Sequence, residues 1–175
     1  IARQAEDRRA LHGADVLITT GGLSIGRGDA VEDVLTPLGP VRFDAVAMTP
    51  GRRLGVGTVE STPIFCLPGD PVSAQIAFET FVRPAVRQIA GRRELHRSCL
   101  PASISTGWHS PPEKREFVPV RLTGSPSRGY TAEPTSPPGT TRLLGLARAN
   151  AIAIVPETTC TVVAGDVLRC LLLDA

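Results

Sequence analysis

The sequence has no C-x-x-C pair and no histidine cluster with zinc-ligand spacing: Cys66, Cys99, Cys160 and Cys170 stand apart, as do His12, His96 and His109. That argues against a structural metal site. Each cysteine lies in or beside an apolar run, so buried free thiols in a reducing compartment are expected. There is no dense Lys/Arg run with interleaved aromatics, and the formal net charge is only +2, so no nucleic-acid partner is expected. No apolar run approaches the length of a membrane span and no signal-peptide pattern opens the chain, from which no membrane partner and a cytoplasmic location are expected. Internal repeats and low-complexity tracts are also absent. The chain starts at Ile1, not Met, and enters directly into a polar helical pattern, from which a fragment of a longer protein is expected.

What is present is ordinary for a folded chain: 175 residues, 42% of them hydrophobic, enough for one domain or two small ones. Its 16 prolines and 17 glycines exceed average usage, and nine of the prolines follow residue 98, where short strands and many loops are expected. The first half is the more regular.

The chain is organised around Thr19-Thr20-Gly21-Gly22-Leu23-Ser24-Ile25-Gly26-Arg27-Gly28-Asp29. Asp15-Val16-Leu17-Ile18 before it has the apolar density of a strand buried on both faces, and Ala30-Val31-Glu32-Asp33-Val34-Leu35 after it has helical spacing. A strand, a Gly-rich turn and a helix in that order leave backbone N–H groups unpaired at the turn, and these attract phosphate-like oxyanions. Asp29 is then a carboxylate placed where phosphates would lie, which makes sense if it holds a divalent cation. A tight turn with Asp29 as helix N-cap accounts for the same residues without a ligand. Both readings stand on local sequence.

Residues 2–11 read as a helix closed by Gly13, and the helix after the Gly-rich loop ends near Thr36-Pro37. Residues 41–48 read as one strand. Thr49-Pro50-Gly51-Arg52-Arg53 is a turn with two guanidinium groups, and two antiparallel strands flank Glu60-Ser61-Thr62. Leu67-Pro68-Gly69-Asp70-Pro71-Val72-Ser73 leaves a buried strand and enters the longest helical pattern, with Asp70 a good N-cap and Pro71 a favourable first residue. Pro84 should kink or restart that helix and Gly91 end it; Arg83, Arg87, Arg92 and Arg93 read as its solvated face and end. Two strand-to-helix turns of this kind would line the crevice at the carboxyl ends of parallel strands. From residue 94 the texture changes to short apolar stretches, which sets expected domains at 1–93 and 94–175, the second a small β-rich one with Trp108 and Phe117 in its core.

Thr20-Gly21-Gly22-Leu23-Ser24-Ile25-Gly26 with Asp29, the Pro-Gly-basic turn, and Leu67-Pro68-Gly69-Asp70-Pro71-Val72-Ser73 resemble the molybdopterin molybdenumtransferase family, which includes the gephyrin-type proteins. Lys114-Arg115-Glu116-Phe117, Gly139-Thr140, Ala149-Asn150 and Ala164-Gly165-Asp166 look like marks of that family's C-terminal domain. The resemblance covers nearly the whole chain in the right order. It implies an α/β fold, a three-layer parallel-sheet molybdopterin-binding-like domain lacking its first strands, followed by a small all-β barrel-like domain. It implies insertion of molybdenum from molybdate into adenylated molybdopterin with Mg²⁺-dependent adenylate hydrolysis, and a homodimer in the full-length form. By resemblance, Gly21, Gly22, Ser24, Gly26, Pro68, Gly69 and Asp70 lie along the pterin phosphate and nucleotide, and Asp29 is the catalytic metal ligand. Thr49, Arg52, Arg53, Ser73, Lys114 and Thr140 take the molybdate-binding positions, where cations and hydroxyl donors suit a tetrahedral dianion.

The chain departs from the family's usual residues at several of these positions. Lysine is usual at Thr49 and at Arg52, proline at Arg53, asparagine at Asp70, arginine at Lys114 and serine at Thr140. The arginine at 53 partly offsets the cation missing at Thr49, and a carboxylate at Asp70 fits a cap or a metal ligand. The family's earlier strands, with a Gly-Asp-Glu-type motif, and its two N-terminal domains have no counterpart here. A non-catalytic relic or scaffold module of the same architecture is the alternative reading.

Overall fold

In the computed structural model, which describes residues 13–23 and 31–173, the apolar run after Asp15 forms strand β1 (Leu17–Thr20). The helix expected over residues 2–11 lies outside the described residues. The chain divides into two compact units, Ile1–Val46 with Arg53–Asp70 and Ala47–Arg52 with Pro71–Ala175. This division differs from the sequence-drawn limits of 1–93 and 94–175, because the helical stretch from Pro71 goes with the second unit.

In the first unit, β2 (Val41–Ala45), β4 (Arg53–Val59) and β5 (Thr62–Leu67) join β1 in the order β1-β5-β4-β2. Among the described strands of this unit β1 and β5 run parallel and the other pairings are antiparallel, so the expected parallel pairing is joined to the expected hairpin in one mixed sheet. The β4–β5 hairpin turns on Glu60 and Ser61, both with positive φ, the backbone whose twist suits a two-residue hairpin. Helix α1 (Val31–Leu35) gives way to a 3-10 turn at Thr36–Leu38, since Pro37 cannot continue an α-helical ladder. Leu23, Leu35, Val41, Val59, Ile64 and Cys66 form the core of this unit.

In the second unit, β3 (Met48–Thr49) breaks away from β2, so residues 41–48 are not one strand. β3 runs parallel to β8 (Arg115–Ser125), with Thr49 opposite Glu116. β6 (Cys99–Ile104), β9 (Gly129–Pro134), β10 (Ala151–Val155) and β12 (Val167–Leu172) complete a sheet in the order β10-β12-β6-β9-β8, and β8 pairs with β10 to close it into a five-stranded barrel. β7 (Trp108–His109) and β11 (Thr161–Val162) make a separate ribbon. The barrel is filled by Ala102, Ile104, Val118, Val120, Leu122, Ala132, Ala151, Ala153 and Val155, small and branched side chains alternating inward along each strand. Asn150 acts as a strand substitute: its Oδ1 accepts from Leu122 N–H at 2.7 Å and its Nδ2 donates to Leu122 O at 3.1 Å.

The long helical pattern is interrupted. Helix α2 (Pro71–Ala77) passes through a π-helical turn at Phe78–Val82 before α3 (Arg83–Ile89), so Pro84 sits in the first turn of a restarted helix, where its missing N–H costs nothing. Gly91, at φ 68, ends it. Helix α4 (Leu143–Arg148) packs against α2. No described helix is long and apolar enough to cross a membrane. Cys66 and Cys170 are buried as expected, whereas Cys160 is exposed, because it follows β10 into a turn.

Candidate functional site

Within the first unit the parallel pairing of β1 and β5 ends at Thr20 opposite Leu67, so both Gly-rich turns leave the same edge of the sheet side by side. Gly21 N–H donates to Leu67 O at 2.9 Å. The two turns touch through backbone alone: a Cβ placed on Gly69 would lie 3.1 Å from Gly21 Cα. Gly21 and Gly22 hold φ of 84° and 71°, and a Cβ on Gly22 would meet Val31 Cγ2 at 2.4 Å. Glycine is therefore required for backbone angle and for space, and it leaves main chain facing whatever lies above the sheet edge. Pro68 and Asp70 flank Gly69 in the same turn. Ser24, Gly26 and Asp29 lie outside the described residues.

Beneath this edge the Thr19 hydroxyl is buried without an ordinary hydrogen-bond partner, opposite Cys66 of β5. Burial pushes the Cys66 thiol above its usual range, and the Thr19 hydroxyl opposes that shift. Both groups belong to the support of the turn. They do not reach its surface.

The arginine doublet parts at the unit boundary. Arg53 opens β4 in the first unit, and its Nη2 forms an ion pair with Glu32 of α1, while its Nε is buried without a partner. Its charge is thus engaged by Glu32. Arg52 is exposed and belongs to the second unit.

The second unit gathers the other expected molybdate residues from separate supports. Thr49 ends β3, and Arg115 N–H donates to Ala47 O at 3.0 Å, which sets Lys114 at the entrance of β8 beside the start of β3. The turn after Thr49, with a cis Thr49–Pro50 peptide, brings Gly51 against the first turn of α2: a Cβ on Gly51 would lie 3.1 Å from Ser73 O. Ser73 is buried. Thr140 donates its hydroxyl to Pro137 O at 2.6 Å, and α4, which follows it, packs on the helix that carries Ser73. Two hydroxyl residues and two cations are thereby borne by the β3 turn, the β8 entrance and the α2 start, with Thr140 on the segment leading into α4.

Sequence reasoning missed the buried polar groups beneath these residues. Glu116, opposite Thr49, is 2% exposed and accepts a hydrogen bond from Trp108 Nε1 at 2.9 Å. Glu79, 4% exposed, receives Arg97 on α2's continuation. For Glu79 the signal available was a lone Glu at helical spacing from the buried Val72, Ile76 and Val82. A separate cleft of about 460 Å³ between β8, β9 and α4, lined by Arg121, Glu133, Thr135 and Arg148, includes none of the expected residues. Among the described residues no group of three or more His, Cys, Asp or Glu side chains is placed to hold a metal ion.

Residues 1–88 match the family model described as a probable molybdopterin binding domain, and residues 101–173 match that of the MoeA C-terminal region, domain IV. Molybdopterin molybdenumtransferase 2 of Mycobacterium tuberculosis is 37% identical over 169 residues, which cover 93% of this chain and 41% of that protein. Gephyrin of Dictyostelium discoideum is 27% identical over 183 residues, covering 91% of this chain and 26% of its own length. The crystal structure of a molybdopterin biosynthesis MoeA protein from Pyrococcus horikoshii superposes with a TM-score of 0.79 at 26% identity, covering 98% of this chain and 40% of that one. The chain thus spans about two fifths of the length of these bacterial and archaeal relatives. With the paired Gly turns and the barrel both accounted for by these matches, the chain belongs to the molybdopterin-binding domain family and carries the C-terminal region found with it in MoeA proteins.

Proposed function

We propose that this chain is the C-terminal portion of a molybdopterin molybdenumtransferase, the enzyme that inserts molybdenum from molybdate into adenylated molybdopterin. The observation that carries the reading is the backbone contact of Gly21 and Gly69 at the carboxyl ends of two parallel strands. Such an edge offers N–H donors to a phosphate with no side chain in the way. Arg52 and Lys114 supply positive charge for the molybdate dianion, and the hydroxyls of Thr49 and Ser73 are assigned as neutral donors; Thr140, whose hydroxyl donates to Pro137 O, takes its place in the cluster through the segment that leads into α4. Charge-assisted contacts of this kind are the stronger hydrogen bonds.

The reading extends to Mg²⁺-dependent hydrolysis of the adenylate, in which the ion would neutralise charge developing on the cleaved phosphate link. Asp29 is the carboxylate we assign to it. Among the described residues no group of three or more His, Cys, Asp or Glu side chains forms a divalent-cation site by itself. We further assign residues 1–93 to the molybdopterin-binding part and 94–175 to the barrel part, and a homodimer to the full-length form.

Isothermal titration of the 175-residue chain with molybdate, and with AMP in the presence and absence of Mg²⁺, tests the proposal once circular dichroism has shown a folded protein. Saturable molybdate binding that Lys114→Ala abolishes is the expected result. A folded chain that binds neither anion would sink the enzyme reading and leave the scaffold alternative.

A further inference from the structure

The molybdate cluster rests on two supports that are not continuous in sequence. Thr49 and Lys114 ride on the barrel through β3 and β8, whereas Ser73 rides on α2. Something must hold the helix in register with the barrel, and a buried ionic link does so.

Glu79 sits on the π-helical turn between α2 and α3. Arg97, eighteen residues later in the segment that leads into β6, reaches it as a fork: Nε donates to Oε2 at 2.7 Å and Nη2 to Oε1 at 3.1 Å. Gln75 Nε2 donates to Oε1 at 3.1 Å, and Arg83 Nε lies 3.7 Å from Oε2. The remaining corner of the Arg97 guanidinium, Nη1, donates to the carbonyl of Leu173, just past the end of β12. One side chain therefore ties the middle of the helix to the barrel's last strand.

Taking a carboxylate and a guanidinium out of water is costly, and apolar residues of similar volume commonly hold a fold at least as well. What the ionic link adds is geometry. A planar fork accepts one orientation of the carboxylate, and an apolar contact tolerates several. The π turn inserts one residue relative to an α-helix, so the side chains before it are rotated by about 100° against those after it. Fixing Glu79 fixes that rotation. Ser73 lies upstream on the same helix, with its backbone already against Gly51.

We propose that Glu79 and Arg97 are positioning residues for the molybdate cluster, holding Ser73 in register with Thr49 and Lys114. This rests on the molybdate reading of that cluster. Neither residue touches the anion.

The test is molybdate titration of the 175-residue chain carrying Arg97→Lys, which keeps the charge but cannot grip Glu79 and Leu173 together. Val82→Ala, a cavity on the same helical turn, serves as a control of similar destabilisation, and all titrations are run well below each melting point. The expected result is a fall in molybdate affinity of about tenfold for Arg97→Lys, as for the loss of one charge-assisted hydrogen bond, with Val82→Ala within about twofold of the parent. If Arg97→Lys does not fold, Glu79→Gln, which keeps the shape and one acceptor, takes its place. Parent-like affinity in these variants, or an equal loss in Val82→Ala, would overturn the positioning role and leave the molybdate reading standing. A parent chain that binds no molybdate would overturn both.

Discussion

Replacing Gly69 by alanine isolates the close approach on which the proposed anion site depends. Gly69 does not occupy positive φ, so alanine is acceptable to its backbone, unlike at Gly21 or Gly22. What changes is distance. The new Cβ would sit 3.1 Å from Gly21 Cα, and relief requires the two turns to part by a few tenths of an ångström. The Gly21 N–H to Leu67 O bond, 2.9 Å long, shifts with them, and so does the main chain proposed to meet the ligand. A hydrogen bond to a charged ligand contributes about 1.5–3 kcal/mol, and partial misalignment of one such bond forfeits roughly 1 kcal/mol. AMP affinity should therefore fall about fivefold by titration calorimetry. Stability should change by less than about 1 kcal/mol, since the lost chain entropy of the unfolded state partly offsets the strain. AMP affinity within twofold of the parent would refute the claim that backbone proximity at this edge does the binding, and a collapse of the melting temperature would show that the turn serves folding first.

Other expectations concern the scaffold. Gly57→Ala should destabilise by about 3 kcal/mol, because its Cβ would lie 2.2 Å from Pro40 O and forces β2 away from β4; a denaturant midpoint unchanged from the parent would contradict the packing. Trp108→Phe removes the indole donor to the buried Glu116 carboxylate and should cost about 1–3 kcal/mol, measurable by urea unfolding, with Glu116→Gln milder because an amide oxygen still accepts. Burial, with a smaller contribution from Cys99, pushes the Cys170 thiol up from 9.0 to about 11. Over that interval the unfolded chain loses the proton while the folded one keeps it, so stability should be intact below pH 9.0 and fall as pH rises toward about 11, and a Cys170→Ala protein should lack that part of the slope. Thiol reagents should modify exposed Cys160 in the native protein and reach Cys66 and Cys170 only on unfolding, as mass analysis of the labelled chain would show.

The sequence by itself determined the features set by neighbours in the chain. The Gly-rich turn after an apolar run, the Asp-Pro start of α2, the hairpin around Glu60 and Ser61, and the change to a mainly β texture after residue 94 are local choices of backbone angle, capping and periodicity, although β8, at 11 residues, is longer than the short strands expected there. Each is legible because the physics acts over a few residues, and the motifs together sufficed for the family. The tertiary structure decided what depends on partners distant in sequence. Residues 41–48 divide between two sheets because β4 pairs with the first part and β8 with the second. Arg52 and Arg53, adjacent and chemically alike, part because Arg53 enters β4 and pairs with Glu32 whereas Arg52 stays in the exposed turn before it. Arg83, read as a solvated residue, is half-buried and donates to Leu95 O at 3.1 Å, because the segment after Gly91 folds back along the helix and brings that carbonyl within reach. The link from Glu79 through Arg97 to Leu173 joins residues that no periodicity connects, and only the folded chain brings their charges within reach.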